Sequence, residues 1–168
     1  MPSSKPRCQN RGVRISAKAD YAVRATVTLA ALDADAPVKA ERVAGEQDIP
    51  LNFLENILHQ LKASGIVTSH RGPEGGFRLA RAADTVTLAD VIRAVDGPLA
   101  SVRGSRPEQV SYTGAAEPLQ EVWIALRANL RAVLERVTVA DVAAGKLPDD
   151  VRALTKDRSA WEAPAFER

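Results

Sequence analysis

The sequence predicts a mainly α-helical fold that contains one small β-hairpin. Apolar residues at spacings of three and four between residues 51 and 64 indicate the buried side of a helix. A glycine-rich segment, 71–76, lies between two β-prone runs and predicts a tight hairpin. A second apolar stripe continues through residues 118–137. Two helices around a short turn, followed by a hairpin, predict a winged helix-turn-helix domain, to which a long dimerisation helix is attached.

Length and composition limit the class of protein. With 168 residues, of which 45% are hydrophobic, the chain can form one domain with a core and an appendage. No apolar run approaches the roughly 20 residues that cross a bilayer, so we expect no membrane partner. Residues 1–14 are basic and are predicted to be a disordered tail without a signal peptide. Because Cys8 is the single cysteine, no internal disulfide can form, which fits a cytoplasmic location.

The charge is distributed unevenly along the chain. Residues 1–81 carry 12 Lys and Arg against 8 Asp and Glu, whereas residues 82–168 carry 11 against 13. The basic half contains the predicted helix-turn-helix, and this asymmetry favours an anionic partner at that end. The same asymmetry also occurs in many proteins that never bind nucleic acid.

The first two helices precede a tight turn. Ser16 can cap a helix over residues 17–32, whose broad apolar surface predicts burial against several neighbours. A second helix is predicted over residues 38–47, with Lys39 near its amino end. The turn that follows contains Asp48, one of the few residue types that tolerate the left-handed backbone conformation.

The third helix, over residues 51–64, has one apolar and one polar side. Its apolar side includes Leu54 and Leu61, and Gly65 ends the helix. Side chains on the other side can contact base edges and phosphates if nothing else covers them: Asn52, Glu55, Asn56, Gln60 and Lys62. The hairpin strands are predicted at residues 66–68 and 77–79.

The second half of the chain begins with a short helix. Thr87 and Asp90 form a capping-box pattern before an apolar stripe that ends at Gly97. Residues 98–117 are predicted to be a linker or effector loop, because loops of this length are usually functional or disordered. A helix over residues 118–137 would span roughly 30 Å and requires a partner for its apolar side. A short helix ends near Gly145, and residues 146–168 are expected to form a flexible tail.

Four motifs stand out along the chain: ADYAVRA at 19–25, IPLNFLE at 49–55, RGP with GGFRLA at 71–80, and DVIRAVDGP at 90–98. Together they resemble the IscR-like (Rrf-two) family of bacterial winged helix-turn-helix transcription regulators. The resemblance covers about residues 15–140. It implies a DNA-binding domain at 15–97 and a dimerisation region at 118–145. It further implies a dimeric, sequence-specific regulator, with repression as the expected direction and a near-palindromic double-stranded DNA operator.

The resemblance and the polar helix face together predict DNA contacts. Asn52, Glu55 and Asn56 are expected to select bases, and the other residues are expected to hold the backbone or the minor groove. The full predicted set is Lys18, Tyr21, Lys39, Pro50, Asn52, Glu55, Asn56, Gln60, Arg71 and Gly72. Arg71 is the expected minor-groove probe, the alternative being a salt bridge to Glu74. Lys39 could instead be only a solvated lysine.

Three residues in and beside these motifs depart from the family pattern. Asp48 stands where these regulators usually have glycine. Pro50 stands where these regulators usually have serine, and it suits a first helical turn but brings no hydroxyl. Glu74 replaces a residue that is commonly small or neutral, and its carboxylate is repelled by phosphates. The operator sequence therefore cannot be transferred from relatives.

The resemblance also identifies the dimer helix and the loop before it. The predicted interface residues are Leu119, Val122, Trp123, Leu126, Leu130, Val133, Leu134 and Val137. Tyr112 and Trp123 are candidates for contact with a small-molecule or protein effector, although a purely structural role in packing is the simpler explanation for both. Well-known members bind an iron-sulfur cluster through three cysteines in this loop, but residues 98–117 contain none.

No cofactor, metal site or enzymatic activity is expected. Asp20 resembles the non-cysteine cluster ligand of some members, but without its companions it is better explained as a surface carboxylate. Neither His59 nor His70 has an acidic or cysteine neighbour at a metal-ligand spacing. The alternative function is a winged-helix module that binds protein rather than DNA, and salt-dependent retention on DNA would distinguish the two.

Overall fold

The computed structural model describes residues 15–32 and 36–162. The elements in chain order are α1 (Ala17–Leu32), α2 (Ala40–Gln47), α3 (Leu51–Ala63), β1 (Val67–His70), β2 (Gly76–Leu79), α4 (Leu88–Asp96), α5 (Leu119–Leu134), α6 (Val139–Ala143) and α7 (Asp149–Leu154). One-turn 3₁₀ helices lie at Ala83–Thr85, Pro107–Gln109, Gly114–Ala116 and Arg158–Ala160. The prediction of a mainly α-helical fold with a hairpin wing is confirmed. The predicted basic tail, 1–14, lies outside the described residues.

Helix α1 lies at the centre of the core. It packs against α2, α3, α4, α6 and β2. Its small buried residues Ala19, Ala22 and Ala25 allow these neighbours to approach closely. The hydroxyl of Thr26, also buried, donates to the carbonyl of Val23 at 2.8 Å, so burial leaves this polar group satisfied.

The two strands of the wing pair antiparallel, with Val67 opposite Leu79. A third segment joins this hairpin, because Val38 and Phe77 exchange two backbone hydrogen bonds of 2.8 Å. Gly76 permits the approach, since a Cβ atom there would lie 2.5 Å from the Val38 carbonyl oxygen. Val38 is therefore extended, and α2 begins at Ala40 rather than at the predicted residue 38.

The segment that follows α5 pairs with the segment that leads into α4. The Leu88 amide donates to the Val137 carbonyl at 3.0 Å, and the Val139 amide donates to the Val86 carbonyl at 2.9 Å. Capping boxes at Thr87 and Thr138 begin α4 and α6 on either side of this pairing. Helix α5 consequently stops at Leu134, three residues before the predicted end.

Within the predicted flexible tail, 146–168, the structure describes residues 146–162. Helix α7 lies inside it, and Asp149 and Asp150 occupy its first turn, where carboxylates favour helix formation. Arg136 reaches from the end of α5 to Asp150 at 3.1 Å. The predicted linker, 98–117, also contains two 3₁₀ turns and the buried residues Leu99, Pro107 and Val110. In the part of the chain that the structure describes, no helix has the length and apolar character needed to span a membrane.

Candidate nucleic-acid interface

The turn between α2 and α3 contains a residue with a left-handed backbone conformation. Asp48 has φ 51° and ψ 49°, as the sequence predicted for this turn, and the Ile49 amide returns to the Ala44 carbonyl at 3.0 Å. Arg24 supports the turn, since its Nε donates to the Gln47 side chain at 3.2 Å and its terminal nitrogen donates to the Gln47 carbonyl. Helix α3 is thereby held at a fixed angle to α2.

The outer face of α3 carries the polar residues that the sequence assigned to base contacts. Asn52, Glu55 and Asn56 are all exposed, and the opposite face is buried through Leu54, Ile57, Leu58 and Leu61. Gln60 is half-buried and its amide donates to the Asn56 side-chain oxygen at 3.4 Å. The amino end of this face is open, because Pro50 is exposed and provides no side-chain cap. Free backbone N–H groups at this end can face an anion.

The wing tip projects beside this helix. Arg71, Gly72 and Glu74 are exposed, and a turn is closed by the Gly75 amide, which donates to the Gly72 carbonyl at 2.9 Å. Among the described residues there is no ion pair between Arg71 and Glu74. The Lys62 ammonium donates to the Ser69 hydroxyl at 2.6 Å and fixes β1 relative to α3. The helix and wing can therefore engage one ligand as a unit.

Lys39 lies where α2 meets the wing. It is exposed at the N-cap position of α2, and its backbone nitrogen lies next to Gly76 of β2. This position puts a positive side chain at the end of a helix whose free N–H groups also attract phosphate. Lys39, Arg71 and the α3 face thus belong to elements that pack against one another.

Lys18 and Tyr21 have structural partners instead of open surroundings. The Lys18 ammonium donates to the Val95 carbonyl at the carboxyl end of α4. The Tyr21 ring meets Phe53 edge to face, with ring centroids 5.8 Å apart, and the Arg24 guanidinium lies 5.4 Å from its centroid. Both residues help to hold α1 against its neighbours, so their predicted phosphate contacts need side-chain movement or a second role.

Phe53 is the residue on α3 that the sequence interpretation missed. It is 46% exposed although it is aromatic, and it follows Asn52 directly. Its position outside the predicted apolar stripe of α3 was the available signal. An exposed ring at this place can contact the methyl group of a thymine in the major groove.

Comparison with known proteins identifies the family. The family model for Rrf2, described as "Iron-dependent Transcriptional regulator", matches residues 15–145. The chain belongs to the Rrf2 family. Rrf2 relatives include a Mycobacterium tuberculosis H37Rv protein named as an HTH-type transcriptional regulator, Rv1287, with 48% identity over 90% of this chain and 94% of the relative.

Two solved Rrf2 structures share the fold. The structure of CymR from B. subtilis, described as the global cysteine regulator of that organism, is 28% identical to this chain with a TM-score of 0.68. The match covers 80% of this chain and 99% of the CymR chain. T. potens IscR is 25% identical with a TM-score of 0.64, over 90% of this chain and 98% of that protein. The chain is therefore a helix-turn-helix regulator of transcription that binds DNA, and none of these relatives is named as an enzyme.

The iron in the Rrf2 description has no matching ligands among the described residues. Residues 15–32 and 36–162 contain no group of three or more His, Cys, Asp or Glu that could hold a metal ion. Cys8 lies outside these ranges, and residues 98–117 contain no cysteine. Asp20 is paired with Arg24 at 3.2 Å, which fits a surface carboxylate. These residues do not fit an iron-sulfur cluster.

The long helix of this Rrf2 protein has an uncovered apolar side. No residue of α5 is fully buried, and on this side Val122 is 51% exposed and Leu119 is 38% exposed. Ile124 is also 38% exposed, but it lies on a different side of the helix. Val137 was predicted on the same interface, but it is 3% exposed and lies in the domain core beside α4. The reason is that α5 ends before Val137, whose carbonyl pairs with Leu88.

The two predicted effector residues of this Rrf2 protein are in contact. The Trp123 indole N–H donates to the Tyr112 hydroxyl at 3.0 Å, and the Arg103 guanidinium lies 5.8 Å from the centroid of the Tyr112 ring. This cluster fastens the loop to the first turns of α5. The contact gives both aromatic residues a structural role, and an effector role stays a prediction.

Proposed function

We propose that this Rrf2 protein is a dimeric, sequence-specific transcriptional repressor that works in the cytoplasm without an iron-sulfur cluster. The observation that carries the proposal is the polar, exposed face of α3 beside an exposed wing and Lys39. Such a surface offers hydrogen-bonding groups for the major groove and cations for the backbone. Repression is the direct result when a dimer occupies a site that the transcription machinery must use.

Base selection and backbone attachment are assigned to different residues. Asn52, Glu55 and Asn56 lie in the first two turns of α3, and their amides and carboxylate match the edges of adenine and cytosine in the major groove. Lys39 at the amino end of α2 is assigned to a phosphate, and Arg71 to the minor groove. The assignment of Lys39 and Arg71 is supported by their exposure to solvent.

Dimerisation is supported by the uncovered side of α5. This 16-residue helix is roughly 24 Å long, and exposed apolar groups along it would be removed from water by a second copy. The proposed interface keeps Leu119, Val122, Leu126, Leu130 and Val133. It omits Val137, which is already buried, Leu134, which packs against the core, and Trp123, which donates to Tyr112. A two-fold dimer has two identical DNA-binding domains, so the operator is a near-palindrome with two half-sites.

Selection of bound sequences from random double-stranded DNA tests the proposal. The expected result is one enriched near-palindrome whose affinity decreases as salt concentration increases. A matched variant in which Asn52 and Asn56 are both replaced by alanine should lose the enrichment but keep its fold by circular dichroism. If the wild-type protein enriches no sequence and DNA retention does not depend on salt, the protein-binding module becomes the better explanation of the α3 face.

A further inference from the structure

A groove of about 470 Å³ lies between the carboxyl end of α4, the loop after it, and α5. Its lining includes four arginines and two apolar residues: Arg93, Arg106, Arg127, Arg131, Pro98 and Leu99. Arginine is the residue type that recognises planar carboxylates through paired N–H donors. The composition of this groove therefore suits an anionic organic molecule.

The arginines of this groove already hold carboxylates of the chain itself. Arg127 donates to Glu108. Glu135, which is outside the lining but bonded to two of its arginines, accepts from Arg131 at 2.9 Å and also from Arg93. The hydrogen bond from Arg131, followed by that from Arg93, lowers the pKa of Glu135 below its ordinary value of 4.5. The pKa of Glu108 is lowered first by a backbone hydrogen bond and then by Arg127. The site stabilises carboxylate anions.

The positive charge of the groove is not fully balanced. Four guanidinium groups face two carboxylates, which leaves two positive charges in excess. Within the described ranges, 15–32 and 36–162, Arg106 has no ion-pair partner. Each guanidinium has five N–H donors, so those of Arg93, Arg127 and Arg131 also retain unused donors. A ligand with two negative charges would neutralise the excess.

We infer that this groove binds a small organic dicarboxylate and is the effector site of the regulator. The apolar side chains Leu99 and Pro98 provide a surface for the hydrocarbon part of such a ligand, which inorganic anions lack. The net positive charge disfavours a metal cation as the ligand. The regulatory part of this inference rests on the proposed function, whereas the binding part does not.

The regulatory effect follows from the position of the ion pairs. Arg93 belongs to α4 of the DNA-binding domain, and Glu135 follows the last turn of α5, so their ion pair crosses between the two parts of the chain. A dicarboxylate that takes hydrogen bonds from Arg93 and Arg131 competes directly with Glu135. Binding therefore exchanges an internal link between α4 and α5 for a link through the ligand, and this changes how firmly the domain is held on the dimer helix.

Binding is tested first without DNA, by isothermal titration calorimetry of the full-length protein with succinate at constant ionic strength. We expect saturable binding of succinate, and none of acetate at the same concentration. Arg106→Gln should weaken succinate binding about tenfold, because one charged donor is lost. The matched control Arg158→Gln changes an arginine that is 91% exposed and lies outside the groove, and it should leave succinate affinity unchanged. Circular dichroism verifies that each variant is folded.

A gain of affinity separates a ligand site from a purely structural cluster. Glu135→Gln removes the competing carboxylate from Arg93 and Arg131, so succinate should bind several times more tightly. The inference is overturned if succinate shows no saturable binding, if Arg106→Gln and Arg158→Gln have equal effects, or if inorganic phosphate binds as tightly as succinate. The last result would mean that the groove selects charge alone.

Regulation is then tested on the selected operator at constant ionic strength. Saturating succinate should change operator affinity at least threefold in the wild-type protein and not in Arg106→Gln. If succinate binds by calorimetry but leaves operator affinity unchanged, the effector role is wrong. If no operator can be selected at all, the proposed function has failed, while calorimetry still decides whether the dicarboxylate site exists.

Discussion

Replacing Gly76 by alanine should destabilise the domain because the root of the wing leaves no room for a Cβ atom. The new carbon would lie 2.5 Å from the Val38 carbonyl oxygen, closer than any normal contact, so Val38 and Phe77 would have to separate. Their two backbone hydrogen bonds contribute about 0.5–1.5 kcal/mol each. Strain from the displaced backbone adds about 1 kcal/mol or more. The free energy of unfolding should therefore fall by about 2–4 kcal/mol.

Thermal or urea unfolding followed by circular dichroism measures this change at one fixed protein concentration, since dimerisation makes stability concentration-dependent. For a chain of this size the loss corresponds to a decrease in Tm of about 4–16 °C. Gly45→Ala is the matched control. Gly45 lies inside α2 with no atom within 4 Å of a new Cβ, and the substitution should stabilise the protein by about 0.5–1 kcal/mol.

The consequence for DNA is measured at a temperature at which Gly76→Ala remains folded. Because the wing is no longer fixed to the segment before α2, the variant should bind the selected operator more weakly than the Gly45→Ala control does. Equal Tm values for Gly76→Ala and the wild-type protein would show that the wing root is not packed as described, and the reasoning would be refuted.

Four further predictions concern function and stability. Asn56→Ala should cost roughly 1–3 kcal/mol of binding free energy at the selected site and relax the base preference there. Lys39→Ala should weaken binding to all DNA sequences alike and reduce the slope of affinity against salt concentration by about one. Unchanged binding in both variants would mean that DNA binds elsewhere on the protein. Charged replacements of Leu126 and Leu130 should give monomers or aggregates in light scattering, and a wild-type monomer at micromolar concentration would contradict the dimer. Protein purified without oxygen should contain no stoichiometric iron by elemental analysis, and a brown, iron-containing protein would contradict the ligand argument. The pKa of Glu135 is lowered in the folded protein, so its ion pairs stabilise the fold above pH 4.5. This stabilisation is lost as pH falls through the lowered pKa. In Glu135→Gln, the free energy of unfolding should therefore decrease less steeply over this acidic range than in the wild-type protein.

The elements whose signals are local were predictable from the sequence. Helix α1 has the predicted bounds, and α3 ends one residue before the predicted limit, because apolar spacing and the flanking Ser16 and Gly65 act within a few residues. The left-handed backbone of Asp48 was also predictable, since few residue types adopt it. The polar face of α3 followed from the same periodicity that identified its buried side.

The features that were missed depend on contacts between distant parts of the chain. Val38 is extended because it pairs with Phe77, and Val137 is buried because its backbone pairs with Leu88. Apolar spacing alone assigned both residues to helices. Lys18 carries a positive charge that suits a DNA contact, but its ammonium donates to the carbonyl of Val95, 77 residues away. The arginine groove likewise combines residues from α4, a loop and α5, which no local pattern connects.

The backbone pairing between residues 86–88 and 137–139 has a consequence for the geometry of the operator. It ties the segment that follows α5 to the DNA-binding domain through hydrogen bonds of 2.9 and 3.0 Å. In the proposed dimer, each α5 then sets the distance between the two-fold axis and the α3 of its own chain. The separation of the half-sites would accordingly be encoded in the register of one short backbone pairing rather than in the residues that touch DNA.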